Sequence, residues 1–179
     1  KDEGWNNPRI EPYGPLQLMP GASVLHYSQT IFEGAKAFQH KNNEIYMFRI
    51  NQNVERFNKS AELLCMPKIK EEKQIQAIES LINVDRLFYP QQDNSSLYIR
   101  PFMFSTEDAL GVKPSESYTY CVMLSPSGPY YGDNVEAIKL LITKDFHRVA
   151  PGGIGQAKSG GNYAASLRAA EKAKKFGCK

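Results

Sequence analysis

One lysine lies inside a run of glycines near the C-terminal end of the sequence. Residues 151–163 read PGGIGQAKSGGNY, so five glycines lie within ten residues around Lys158. Glycine allows the backbone to approach a ligand closely, and a lysine enclosed there can be desolvated, which lowers its pKa. The neutral amine can then attack an aldehyde and form a Schiff base. We therefore interpret Lys158 as a candidate nucleophile.

Two other interpretations of this loop stay open. A Gly-rich stretch taken alone is typical of a flexible surface linker. Residues 152–159 also resemble a phosphate-binding P-loop around Lys158 and Ser159, except that Ala157 stands where glycine is expected. Residues 145–150 separate the loop from the strand predicted before it, and no later strand is predicted that could supply a magnesium-binding aspartate. We therefore rank nucleotide binding below Schiff-base chemistry.

A second pair of polar groups lies on a predicted strand. Tyr98 and Arg100 are two residues apart, so they share one face of the strand, while Leu97 and Ile99 take the other face. Two polar-tipped side chains among neighbouring phenylalanines suit a binding pocket lined mainly by apolar groups. The alternative is the solvent side of a half-buried strand.

The elements that position these residues indicate an α+β fold. Residues 23–38 and 44–50 are strand candidates, and the turn residues Lys41, Asn42 and Asn43 predict a hairpin between them. The first helix is predicted from a cap at Asn51 or Asn53 to about residue 65. The remaining predicted elements are a helix over residues 70–88, strands over 96–105, 117–124 and 137–143, and a last helix from about residue 162.

We expect a domain with a mainly antiparallel sheet and two helices over residues 1–150. Residues 151–179 are then the start of a second, incomplete α/β domain, because a strand-rich domain does not normally end on a fresh Gly-rich loop and one helix. The sequence is accordingly interpreted as the N-terminal piece of a longer protein.

Composition argues against several other classes of protein. The 179 residues include 22 basic and 19 acidic ones, and a net charge of +3 does not indicate a nucleic-acid partner. Apolar runs stay far below the roughly 20 residues that span a bilayer, and no signal peptide is recognisable, so we expect no membrane association. Three cysteines without a C-x-x-C motif predict no metal site and favour an intracellular, reducing compartment. We expect the cytoplasm, with the mitochondrion as the alternative.

Several motifs in the chain resemble those of one enzyme family. The segment GQAKSGGNYAASL (155–167) is similar to the cofactor-lysine segment of branched-chain amino-acid aminotransferases, which are fold type IV pyridoxal-phosphate enzymes. Five further stretches resemble the family in the same order: LHYSQTIFEGAKAF (25–38), NVER (53–56), LYIRP (97–101), LGVK (110–113) and LSPSGPY (124–130). Ordered motifs over nearly the whole chain are more specific than any single motif.

The resemblance implies a role for three residues at the cofactor. Lys158 would be the catalytic residue that carries pyridoxal 5'-phosphate and moves a proton. Tyr163 would hydrogen-bond the phenolate oxygen of the cofactor, although inward packing is the commoner fate of a tyrosine. Arg56 would bind the phosphate, and its place in the first turns of a predicted helix also favours anions. The alternative for Arg56 is an exposed surface position.

The resemblance also implies the residues that bind the amino-acid and 2-oxo-acid substrates. The aliphatic side-chain pocket would be lined by Phe32, Tyr98 and Tyr130. Arg100 is the candidate to meet the side-chain carboxylate of glutamate. Tyr27 and the loop with Leu110 and Val112 would reach the site of a neighbouring subunit, which implies a homodimer with shared active sites.

The implied activity is reversible transamination between leucine, isoleucine or valine and 2-oxoglutarate, in branched-chain amino-acid biosynthesis or degradation. The alternatives within the fold are a D-amino-acid aminotransferase and an aminodeoxychorismate lyase. Further alternatives are a nucleotide-binding module on Lys158 and Ser159 and a non-catalytic interaction domain. The family's glutamate at the cofactor ring nitrogen and its second phosphate-binding turn would follow residue 179. We therefore expect residues 1–179 alone to be inactive.

Overall fold

The computed structural model describes residues 4–92, 94–128 and 137–178 and confirms the predicted α+β class. The helices are α1 (Ser23–Tyr27), α2 (Ile50–Leu63), α3 (Glu71–Val84), a 3-10 turn (Arg86–Phe88), α4 (Gly160–Ala164) and α5 (Leu167–Lys175). The strands are β1 (Thr30–Phe32), β2 (Ala35–Gln39), β3 (Ile45–Met47), β4 (Ser96–Ser105) and β5 (Tyr118–Ser127). In the described part of the chain, no helix combines the length and the apolar character that a bilayer crossing requires.

The long strand β4 organises an antiparallel sheet of five strands. Along its whole length it pairs with β5, from Ser96 opposite Ser127 to Ser105 opposite Tyr118. Its other edge is shared by β1 and β2, which pair with different parts of β4, and β3 extends the sheet beyond β2. All of the pairings are antiparallel, as the sequence predicts.

The two short strands on the shared edge are separated at a proline of β4. β1 ends at Phe32 and β2 begins at Ala35, and the amide of Glu33 between them donates to the Pro101 carbonyl at 2.7 Å. In a strand, the N–H and the C=O of one residue point to the same side. The position where Pro101 lacks an N–H donor therefore faces the gap between β1 and β2, as its carbonyl does. A proline is tolerated in a central strand where no ladder bond is needed. The chain therefore leaves the sheet at Glu33 and Gly34.

The two faces of β4 have different environments. Leu97, Ile99 and Met103 are buried on the face that α2 and α3 cover. Tyr98 and Arg100 lie on the opposite face, as their spacing predicts. α2 buries Phe57 and other apolar residues at helical intervals against the first face.

Several predicted elements are confirmed. The hairpin of β2 and β3 has Gln39 opposite Ile45, with Asn43 at a φ of 63° in the turn. Both long helices and β4 lie where the sequence predicts them. The predicted asparagine cap of α2 is wrong, because the helix begins at Ile50 after Arg49, whose φ is 51°, and no side chain caps it. Asn53 binds other groups, which are described below.

The strand predicted from residue 23 is wrong over its first part. Ser23–Tyr27 form the short helix α1, because tertiary hydrogen bonds hold this segment against the end of β4. The Ser23 amide donates to the Glu107 carbonyl at 2.9 Å, and the Ser23 hydroxyl donates to that of Ser105 at 2.8 Å. Apolar content predicted a strand here, but these contacts turn the chain.

The strand predicted over residues 137–143 is also wrong. Its apolar alternation is typical of a strand, yet Ile138, Leu140 and Ile142 are exposed, and no strand partner lies among the described residues. An extended segment becomes a strand when a neighbour completes its hydrogen bonds. The last predicted helix exists as two pieces, α4 and α5, separated at Ala165 and Ser166.

Replacing Phe57 should test the core beneath the sheet. Phe57 is 1% exposed, so Phe57→Ala leaves a cavity and should lower the free energy of unfolding of the full-length protein by about 3–5 kcal/mol. Phe48 is 78% exposed, and Phe48→Ala is the matched control, with an expected change within about 0.5 kcal/mol. Urea denaturation measures both, and similar losses for the two variants would contradict the assigned core.

Candidate active site

The backbone of Lys158 is held from both sides. Its N–H donates to the hydroxyl of Ser60 in α2 at 2.9 Å, and its carbonyl accepts from the Phe32 amide of β1 at 3.0 Å. Ser159 forms a bridge with Ile31 on the edge of β1. The loop passes so close to β1 that a Cβ on Gly160 would lie 2.9 Å from the Thr30 side chain. The interpretation as a flexible linker does not fit this arrangement.

The side chains of five predicted site residues meet around the ring of Phe32. The Nζ of Lys158 lies 5.6 Å from the ring centroid, and the Cζ of Arg100 lies 4.7 Å from it. The Tyr163 ring approaches edge-on, with 4.8 Å between centroids. Tyr98 joins the group through Arg100, whose Nη2 donates to the Tyr98 hydroxyl at 2.8 Å. The structure therefore gathers residues that are far apart in the sequence.

Arg100 has spare hydrogen-bonding capacity inside this cluster. The Cζ of its guanidinium lies over the rings of Phe32 and Tyr98, at 4.7 and 5.2 Å from their centroids. Its buried Nε has no hydrogen-bond partner among the described residues. A donor of this kind is costly to leave without an acceptor, so the position suits a ligand that carries an acceptor.

Gly34 makes room for the Tyr98 phenol. A Cβ added at Gly34 would lie 3.0 Å from the Tyr98 Cζ and closer still to the hydroxyl oxygen. The glycine lies in the gap between β1 and β2, so the same interruption of the sheet that admits Pro101 also admits this ring. A larger residue at Gly34 would displace the phenol from the cluster.

Arg56 is joined to the site by an ion pair with the buried Glu33. Its Nε and Nη2 donate to the two carboxylate oxygens of Glu33, at 2.5 and 2.9 Å. The Glu33 side chain is 1% exposed, whereas that of Arg56 is 53% exposed. Burial alone raises the pKa of Glu33, but donors from Arg56, Gly34 and Asn53 and the charge of Lys158 outweigh it and lower the pKa. Glu33 is therefore ionised at neutral pH.

The surroundings of Arg56 favour its charged form. The hydrogen bonds to Glu33 raise the pKa of Arg56, and the charge that Tyr163 can carry acts in the same direction. A cavity of about 370 Å³ beside Arg56 is lined also by Lys59 and Gln156, the latter from the lysine loop. Glu55 also lines this cavity and pairs with Lys59, so the opening beside Arg56 carries charges of both signs.

The remaining predicted residues do not join this cluster. The Tyr27 hydroxyl donates to the Leu110 carbonyl, and the exposed fractions of Tyr27, Leu110 and Val112 are 40%, 66% and 84%. No hydrogen bond or ring contact of the described residues links them to Phe32. Tyr130 lies outside the described residues. Tyr27, Leu110 and Val112 are therefore exposed and lie outside the cluster around Phe32.

Sequence reasoning missed four residues that shape the site. Glu33 and Ser60 hold Arg56 and Lys158, and Asn53 donates to Glu33 and to the Gly34 carbonyl, both at 3.1 Å. Arg148 stacks on the Tyr163 ring at 4.8 Å. The charged Glu33 within the apolar stretch 30–38 was a usable signal. Ser60 offered none, because a helical serine is ordinary.

Two features of the loop argue against nucleotide binding. A P-loop directly follows a strand, but residues 137–150 form no strand. The Lys158 amide is already bound to Ser60 and is not free to cradle a phosphate. The P-loop interpretation of residues 152–159 is therefore wrong.

Comparison with known proteins agrees with the geometry. Residues 30–179 match the family model described as amino-transferase class IV. The chain belongs to this family. It is 45% identical over 175 residues to branched-chain-amino-acid transaminase 1 of Bacillus subtilis (strain 168), in an alignment that covers 97% of this chain and 49% of the relative. It is 44% identical over 178 residues to the branched-chain-amino-acid aminotransferase of Mycolicibacterium smegmatis, covering 99% of this chain and 48% of the relative.

Solved structures give the same relationship for this class IV chain. The branched-chain amino acid aminotransferase of Escherichia coli matches with a TM-score of 0.73 at 26% identity, over 90% of this chain and 52% of the other. A second branched-chain amino acid aminotransferase, complexed with N-(5'-phosphopyridoxyl)-L-glutamate, matches with a TM-score of 0.69 at 30% identity, over 91% and 52%. The chain spans about half the length of the curated relatives it matches.

The hydrogen bond from the Lys158 amide to Ser60 should control how firmly the loop is held. Ser60→Ala removes the acceptor and should lower the unfolding free energy of the cofactor-free full-length protein by about 1–3 kcal/mol. Trypsin should also cleave faster after Lys158. Ser125→Ala, which alters an exposed hydroxyl on β5, is the control and should change neither quantity. Equal cleavage rates in the two variants would show that Ser60 does not hold the loop.

Proposed function

We propose that the protein carrying this chain is a pyridoxal-phosphate-dependent branched-chain-amino-acid aminotransferase. It would exchange amino groups between leucine, isoleucine or valine and 2-oxoglutarate. The observation that carries the proposal is the anchored Lys158, whose amine lies over Phe32 with Tyr163 and Arg100 around the same ring. The names of the relatives support the substrate class.

The residues present fit pyridoxal phosphate. The lysine is half-buried, the Tyr163 phenol is 41% exposed beside it, and Arg56 carries a partly exposed guanidinium next to an opening that Gln156 of the lysine loop also lines. Two solved relatives are complexed with pyridoxamine phosphate or a phosphopyridoxyl-glutamate compound. When bound, this cofactor supplies an electron sink that stabilises negative charge at the α-carbon of an amino acid.

Three residues would serve the cofactor. Lys158 would bind the aldehyde of the cofactor through Nζ with loss of water. Once the amino group of the substrate has displaced it, its free amine would move the proton between the substrate α-carbon and the C4′ of the cofactor. Tyr163 would donate to the phenolic oxygen, with Arg148 stacked on its ring. Arg56 would bind the phosphate through N–H groups that Glu33 leaves unused.

The substrate side chain would lie on the outer face of the sheet. Phe32 and Tyr98 provide apolar ring surface, and Tyr130 is proposed to complete the pocket. Glutamate must also enter, because the amino group passes through it, and its second carboxylate needs a charged or hydrogen-bonded partner there. Arg100, with its buried and unpartnered Nε, is proposed as that partner.

The same proposal covers assembly, domain organisation and compartment. Tyr27, Leu110 and Val112 would reach a neighbouring subunit's site, and their joint exposure supports a homodimer. Among the described residues, the last strand of the sheet ends at Ser127, which supports a domain boundary near residue 150, before the lysine loop. The relatives named above are bacterial and favour the cytoplasm over the mitochondrion. Their names also favour this activity over a D-amino-acid aminotransferase or an aminodeoxychorismate lyase.

Reductive labelling tests the assignment of Lys158. Borohydride treatment of the full-length protein with pyridoxal phosphate should fix the cofactor on Lys158, and peptide mapping should find it there. Lys158→Ala should abolish the label and transamination. Lys68→Ala, which removes an exposed lysine paired with Glu62, is the control and should retain both. A label that survives in Lys158→Ala would contradict the assignment.

The role of Arg100 can be tested by measuring the two half-reactions separately. Arg100→Met removes the charge that would meet the glutamate carboxylate, whereas leucine needs apolar burial worth about 0.8 kcal/mol per CH₂. The single-turnover rate with glutamate should therefore fall at least about tenfold more than the rate with leucine. Equal losses in both half-reactions would mean that Arg100 supports the architecture of the site and does not recognise the substrate.

A further inference from the structure

Glu33 is a buried carboxylate to which the proposed reaction assigns no role. Its side chain is 1% exposed, and both oxygens are occupied. Oε1 accepts from the Arg56 Nε, and Oε2 accepts from the Arg56 Nη2, the Asn53 Nδ2 and the Gly34 amide. A carboxylate held by this many donors has one fixed orientation. It lies one residue after Phe32, at the interruption of the sheet.

The two bonds from Glu33 determine which part of Arg56 remains available. A guanidinium presents five N–H donors in one plane. Glu33 takes the Nε edge, and the Nη1 group has no partner among the described residues, while 53% of the side chain is exposed. An opening lined also by Lys59, Glu55 and Gln156 lies beside this residue. The unused donors are therefore held in a defined direction.

We propose that Glu33 is a positioning residue that orients Arg56 to bind the phosphate of the cofactor. The proposal rests on the function proposed above and assigns that phosphate site an additional residue. A free arginine loses side-chain entropy when it is immobilised. With the guanidinium already held by Glu33, part of that loss is incurred in folding and not on binding.

The loss of Glu33 has two opposite effects on phosphate affinity, one through its charge and one through the orientation of Arg56. A phosphate is an anion, so the negative charge of Glu33 repels it, and removing that charge alone would strengthen binding. Removing the carboxylate also releases the guanidinium, which would weaken binding. A weaker phosphate affinity in Glu33→Gln therefore identifies orientation as the role that dominates.

The experiment compares two cofactor forms that differ in the phosphate. Dissociation constants for pyridoxal phosphate and for pyridoxal are measured on the full-length protein. The constant for pyridoxal divided by the constant for pyridoxal phosphate is the preference for the phosphorylated form. This preference reports recognition of the phosphate. Glu33→Gln should reduce this preference roughly tenfold. Glu62→Gln changes another carboxylate, on α2, that pairs with Lys68 and is 65% exposed, and should leave the preference unchanged.

A double-mutant cycle tests whether Glu33 acts through Arg56. Arg56→Met should itself reduce the preference, and adding Glu33→Gln should then cause little further change. An unchanged or increased preference in Glu33→Gln alone would overturn the proposal. So would an equal further loss in the Arg56→Met background, since Glu33 would then act by another route.

Two further results distinguish the possible failures. If Arg56→Met leaves the preference unchanged, both this proposal and the placement of Arg56 at the phosphate are wrong. If Glu33→Gln does not fold, Asn53→Ala provides the test, because it keeps both charges and removes one donor that holds Oε2. It should reduce the preference by a smaller factor without altering pyridoxal affinity. An unchanged preference in Asn53→Ala would then overturn the proposal.

Discussion

The main chain of Lys158 is held between a strand and a helix that are distant from it in sequence. Ser60 of α2 is 98 residues away, yet its hydroxyl binds the lysine N–H, and Phe32 of β1 binds the lysine carbonyl. Because main-chain groups make these contacts, the side chain is left to face the ring of Phe32. A glycine-rich loop that would otherwise be mobile is thereby placed at a defined distance from the sheet. The proposed chemistry depends on that distance, since Tyr163 and Arg100 meet the same ring.

A single interruption of the sheet supplies most of the other site groups. Pro101 lacks an N–H, and the chain opposite it leaves the edge of β4 through Glu33 and Gly34. The released glutamate turns inward to Arg56, and the glycine leaves space for the Tyr98 phenol. An unbroken β1–β2 strand would have presented Glu33 to a ladder and would have had no place for this ring. The irregularity in the sheet is therefore what places polar groups beside an apolar core.

Local sequence patterns predicted those parts of the structure in which neighbours along the chain decide the outcome. The alternation in β4 predicted both the strand and the face shared by Tyr98 and Arg100, and helical spacing predicted α3. The predictions failed where contacts between residues distant in the sequence determine the local structure. Ser23–Tyr27 is helical because Ser23 is bound at the end of β4, and residues 137–143 have the pattern of a strand but no described strand beside them.

The candidate site likewise contains residues that the sequence could single out and partners that it could not. Residue types and motif order were sufficient to single out Lys158, Tyr163, Arg56 and Phe32, because each of them belongs to a recognisable local stretch. The partners Glu33 and Ser60 could not be assigned, since a hydrogen bond between residues 23 or 98 positions apart has no signature in either segment. Composition and periodicity establish which side chains a strand or helix presents on each face. Which of those faces meet, and at what distance, depends on packing and main-chain hydrogen bonding across the whole fold, so these contacts appear only in the folded chain.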